Sequence, residues 1–231
     1  MEMGVLFDKI NLRTQLDKEE GDIAYFQALM LQFEYILKIV TSTVITCIQN
    51  DSDRQRYALE YKLIRANSLG EWCDVLRSAL KGPASQAVFE EASTFIHEIS
   101  SQVKRDDWRF CVVENLSQIG QGLDLETKIG NSVSLLHYFD FGTALRNRTK
   151  GHGAITCVQC NKICENLAES NSLVLKNLTL FKNDFAFLYR SLSGKYRVTP
   201  MLGNCSDFFY LRKIRYHPTI EYRAVSSPPT H

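Results

Sequence analysis

The sequence predicts a mainly α protein: an antiparallel helical bundle with a small β-rich extension at its C-terminal end. Three observations carry this. Apolar residues recur at intervals of three and four through most of the first 175 positions, the signature of helices burying one face. After Asn177 the pattern changes to short aromatic and β-branched runs between turn residues. The chain has 231 residues, 45% hydrophobic and 23% charged, enough to build a core without disulfides or metal.

Residues 1–21 are a lead-in with no strong pattern. Over 22–50, Ile23, Phe26, Met30, Phe33, Leu37, Val40, Val44 and Ile48 mark one face of a long helix that Asp22 is placed to cap. A second helix is predicted over 54–66, after Asp51-Ser52-Asp53 and before Asn67. A third starts at once, since Ser68 with Glu71 three residues on is a capping box, and Gly82-Pro83 ends it. Further helices are expected over 85–103, 107–120, 132–148 and 154–170. The helical domain therefore spans 22–175. The extension spans 176–225, with extended runs at 178–181, 185–189, 196–199, 208–214 and 219–225, and 226–231 is a disordered tail.

The formal charge of +1 excludes a polycation that binds nucleic acid through its whole field. Charge is unevenly spread: residues 171–231 hold nine Lys/Arg and three Asp/Glu, a net of +6, leaving −5 for residues 1–170. Within that acidic part, residues 141–164 contain Arg146, Arg148, Lys150 and Lys162 and no acid. Seven Cys without a regular framework fit reduced thiols and a cytoplasmic setting. Gln27, Gln32, Glu34 and Lys38 interrupt the most apolar stretch, so neither a leader nor a membrane span is expected.

The segment Leu145-Arg146-Asn147-Arg148-Thr149-Lys150-Gly151-His152-Gly153 concentrates guanidinium, amide, ammonium and imidazole at the end of an apolar helix. Phosphodiester chemistry uses such groups: Arg binds two phosphate oxygens at once, and His moves a proton near neutral pH. Six residues separate Arg146 from His152, roughly 600° of turn and about 9 Å of rise on an ideal helix, so the two do not share a face. A twofold dimer would bring two copies of the pair into one cleft. The alternative from the same residues is a solvated, basic helix end favoured by the helix dipole, with His152 as a cap.

A helical domain ending in Arg, a polar residue, a few further positions and His resembles the HEPN superfamily, whose motif places four to six residues between Arg and His. Here there are five, Asn147 to Gly151. The resemblance covers residues 22–170 in architecture and 146–152 in motif. It implies a homodimeric, metal-independent endoribonuclease without cofactors, of the kind found in toxin–antitoxin, abortive-infection and CRISPR-linked defence, with an antitoxin or other protein as regulator. It further implies that Arg146 holds the scissile phosphate, His152 takes part in proton transfer and Asn147 orients the pair. Arg148 and Lys150 are then RNA-binding residues outside the fixed motif. The reaction expected is attack of the 2′-OH on the adjacent phosphate, leaving a 2′,3′-cyclic phosphate and a 5′-OH, which requires RNA. A non-catalytic HEPN-like dimerisation or sensor module of a larger defence protein is the alternative.

Cys157, Cys160 and Cys164 share a helical stripe and read either as zinc thiolates with His152 or as core residues, the latter favoured because a second CxxC is absent. His97 and His137 lie on apolar helices and read as packed histidines. Asp140 reads as a surface carboxylate or a partner of Arg146, and 212–216 mixes three cations with a tyrosine, as a strand face or an RNA-guiding strip would.

Overall fold

A computed structural model of the chain describes residues 4–49, 54–151, 155–183, 185–190, 196–202 and 209–212; side chains are described between 7 and 183, apart from 91, 150 and 151. Eight α-helices build the described part: α1 (Gly4–Glu20), α2 (Asp22–Thr46), α3 (Gln55–Arg65), α4 (Leu69–Lys81), α5 (Ser93–Ser100), α6 (Trp108–Gln121), α7 (Leu136–Gly151) and α8 (Cys157–Asn177). The protein is mainly helical, as its periodicity predicts.

Helix α2 is the axis. Fourteen of its twenty-five residues are buried, more than one amphipathic stripe supplies, because α1, α4, α7 and α8 all pack on it. It is the one described helix long and apolar enough to cross a bilayer, yet 72% of its most apolar window is covered by the rest of the protein. Its start differs from the expected one. The cap position is Gly21, at φ 134°, with no side-chain cap bond, a conformation glycine adopts freely and one that turns the chain from α1 into α2. Asp22 instead lies in the first turn, where its carboxylate accepts from Asn161 on α8 at 3.4 Å.

The lead-in is itself a helix. Phe7 and Ile10 of α1 are buried, and the Phe7 ring stands edge-on to Phe181 at 5.6 Å. The sequence hides α1 because its apolar residues are split between a buried face and the exposed Leu12 and Leu16.

Helix α4 starts on its predicted capping box, whereas α3 begins after Arg54 at φ 56° with no side-chain cap bond, and Asp51-Ser52-Asp53 lies outside the described residues. Ser68 Oγ accepts from the Glu71 N–H at 3.3 Å, and the Glu71 carboxylate accepts from the Asn67 and Ser68 N–H groups at 2.6 and 2.9 Å. Those backbone donors hold the Glu71 carboxyl below its ordinary pKa.

The long helix expected over 85–103 is shortened to α5. Pro83–Ala87 and Glu90–Ala92 form 3-10 turns, and the chain between them pairs with the end of α2: Gln49 N–H donates to Ala87 O at 2.6 Å and Phe89 N–H to Cys47 O at 3.1 Å. Tertiary backbone bonds thus replace helical ones. Residues 178–181 also depart from expectation. They enter a 3-10 turn, Thr179–Lys182, and Leu178, Leu180 and Phe181 are buried in the helical core, so the bundle runs past 175.

Further on, backbone segments β1 (Phe185–Arg190), β2 (Tyr196–Leu202) and β3 (Phe209–Arg212) pair in the order β2-β1-β3, antiparallel for β1 with β2 and parallel for β1 with β3. The run expected at 219–225 and the tail 226–231 lie outside the described residues.

Candidate nucleic-acid site on helix α7

Helix α7 is anchored at its start and packed along its length. An antiparallel bridge between Val103 and Val133 delivers the chain to it, and the Ser134 N–H donates to His137 Nδ1 at 3.1 Å. His137 therefore ties down the helix start, as a packed histidine does, and lies about 13 Å along the axis from Arg146. Phe139, Gly142 and Leu145 are buried against the neighbouring helices. Steps of three and four from Phe139 through Gly142 lead to Arg146 and Thr149 on the same inward stripe.

Arg146 is half-buried. Its Nε is one of two buried side-chain polar atoms without a hydrogen-bond partner among the described residues, the other being Thr43 Oγ1. A buried donor left unsatisfied costs about 1–3 kcal/mol, so the position of Nε is chemically unfinished. Thr149, one turn on, is occupied: its hydroxyl donates to Leu145 O at 2.9 Å. Asn147 and Arg148 are exposed, about 100° and 200° round the helix from Arg146. They do not join its stripe. The backbone of α7 continues through Lys150 to Gly151, and His152 lies outside the described residues.

Asp140 does not pair with Arg146. It accepts from Arg77 on α4 at 2.5 Å, and Arg77 also reaches Asp74 at 2.8 Å. Beside that pair, Cys73 and Thr143 approach through Sγ and Oγ1 at 3.1 Å across the α4–α7 contact, and burial pushes the Cys73 thiol up to about 11. Sequence reasoning missed Arg77, Cys73 and Thr143, because pairing across more than 60 positions leaves no local periodic signal. The consequence for the site is electrostatic: the carboxylate nearest in sequence before Arg146 is already paired with an arginine of another helix.

The cysteine stripe of α8 divides. Cys160 and Cys164 are buried in the core and Cys157 is exposed. Among the described residues, no three His, Cys, Asp or Glu side chains converge as metal ligands. His97 is exposed on α5, while its neighbour Glu98 accepts from the Thr179 N–H at 2.8 Å. The strip 212–216 has no described side chains.

Compared with protein-family models, curated proteins and solved structures, the chain has no match.

Proposed function

We propose that the protein is a metal-independent, HEPN-like endoribonuclease of a defence or toxin–antitoxin system, cleaving RNA through a dimeric Arg/His site. The observation that carries this reading is the Arg146 Nε–H, buried and without an acceptor among the described residues. An anion supplies the missing acceptor, and a phosphate offers oxygens matched to both Nε and the guanidinium tip. The pairing of Asp140 with Arg77 supports the same reading, because it leaves no carboxylate of α7 to compete for Arg146.

In this mechanism Arg146 binds the scissile phosphate and offsets charge as it develops on the phosphoryl oxygens. His152 takes the proton of the 2′-OH or gives one to the departing 5′ oxygen. The 2′ oxygen–phosphorus bond forms as the phosphorus–5′ oxygen bond breaks, giving a 2′,3′-cyclic phosphate and a 5′-OH. Asn147 orients the pair, and Arg148 and Lys150 contact flanking phosphates. A second protomer completes the cleft, since a spacing of six residues does not put Arg146 and His152 on one face of an ideal helix. The setting is cytoplasmic, an antitoxin or regulatory protein controls the activity, and the strands from Phe185 on add a small β-rich extension to the bundle.

A second reading is a non-catalytic HEPN-like dimerisation or sensor module of a larger defence protein. The exposure of Asn147, without a hydrogen bond to Arg146 among the described residues, favours it.

The deciding experiment incubates purified protein with total and transfer RNA in excess EDTA, beside His152→Ala, and maps the ends of any fragments. Cleavage by the wild type alone, with cyclic phosphate ends, is the expected result. Equal cleavage by His152→Ala removes the histidine from the mechanism, and an inert wild-type dimer turns the reading towards the module.

A further inference from the structure

Helix α3 needs only its inner face to fold. Leu59 and Leu63 are buried, and the one carboxylate of the helix, Glu60, is buried with them and accepts from Arg56 Nε at 2.8 Å. Arg56 in turn donates to the carbonyl of Ile48 at 3.0 Å. The acid of α3 is thereby withdrawn from the outer surface.

The outer face carries something else. Tyr57 and Tyr61 are 48% and 42% exposed, with rings nearly parallel at 22° and centroids 6.4 Å apart. Arg65 lies over the Tyr61 ring at 5.2 Å and donates to its hydroxyl at 2.8 Å. Three flat groups thus rise in a column at four-residue steps, one above another on one helix face. Arg54 and Lys62 are exposed beside them, so among the described residues this face of α3 presents three cations, the exposed Ile64 and no carboxylate.

We propose that this column is a docking surface for single-stranded RNA. Nucleobases stack on tyrosine rings whatever their sequence, and guanidinium planes extend such a stack while holding the phosphate beside it. The Tyr57 and Tyr61 ring centroids stand 6.4 Å apart, on the order of two stacking steps of about 3.4 Å each, a separation of the size that one inserted base requires. Charge selects a polyanion over an apolar peptide, and the need for free base faces selects single strands over duplex. The surface needs only binding and is independent of turnover at Arg146.

The test uses the full chain and a fluorescent 2′-O-methyl oligouridylate of about twelve nucleotides, within the usual range of single-strand sites. The modified sugar has no 2′-OH to act as nucleophile, so binding is read apart from cleavage. The wild type is expected to bind at low salt and to weaken as salt rises. Tyr61→Ala and Tyr57→Ala should each weaken binding about tenfold, with Tyr61→Phe within about twofold of wild type and unchanged circular dichroism for all three. Absence of wild-type binding, equal affinity for a duplex of the same length, or a Tyr61→Ala variant that binds as wild type each overturns the proposal.

Discussion

Arg146, with Thr43, departs from the way this protein treats most of its buried polar side chains. Tyr138 OH donates to Asn171 Oδ1 at 2.7 Å, Asn171 donates to Leu29 O at 3.0 Å and to Gln32 Oε1 at 3.1 Å, and Gln32 donates to Asn11 at 3.0 Å. That chain of bonds satisfies four side chains in succession, and burial raises the Tyr138 pKa well above its ordinary value. The Arg146 Nε, by contrast, is buried without return. If the arginine is retained for a ligand, replacing it with a flexible apolar side chain should not harm the fold. Arg146→Met is therefore expected to leave thermal stability unchanged or raised by about 1–3 kcal/mol while abolishing RNA cleavage. A loss of several degrees in Tm would instead make Arg146 a structural residue.

At the scale of elements, the position of α7 depends on its approach to α2 at Gly142. A Cβ built there would run into the Phe33 ring, which is itself fixed edge-on to Tyr138 at 5.2 Å. Helix propensity alone favours alanine over glycine by about 1 kcal/mol, but overpacking against a locked aromatic ring costs about 1–3 kcal/mol. Gly142→Ala should thus lower the denaturant midpoint, and because it displaces the helix that carries Arg146, it should also reduce RNA cleavage. A raised midpoint would show that α7 does not need this close contact.

The whole molecule determines which cysteines can react. Cys157 is exposed, whereas Cys47, Cys73, Cys160 and Cys164 are buried. Burial pushes the Cys47 and Cys164 thiols up to about 12 and Cys73 up to about 11. The thiolate is the reactive form, so these groups are both covered and protonated at neutral pH. Brief alkylation of the native protein followed by peptide mass mapping should label Cys157 promptly, and label Cys47, Cys73 and Cys164 only under conditions that unfold the bundle. Native labelling of Cys73 at the rate of Cys157 would mean that α4 and α7 separate readily.

What could be read from the residues in order was whatever local physics decides. The three-and-four spacing from Phe26 to Val44 specifies α2, and the Ser68–Glu71 box starts α4, because a helix is closed by bonds four residues apart and capped by neighbours. The basic run at 146–150 is equally visible in the order of the residues. Folding of the whole chain decided the rest. The 3-10 turns after Pro83 follow from bonds to Cys47 and Gln49, which no window around residue 88 contains. The burial of Phe181 beneath α1, the pairing of Asp140 with Arg77 and the unpartnered Nε of Arg146 belong to the same class. Each depends on which distant side chain arrives at a given place, and that is fixed when apolar faces on several helices are buried together, not by the pattern of any one of them.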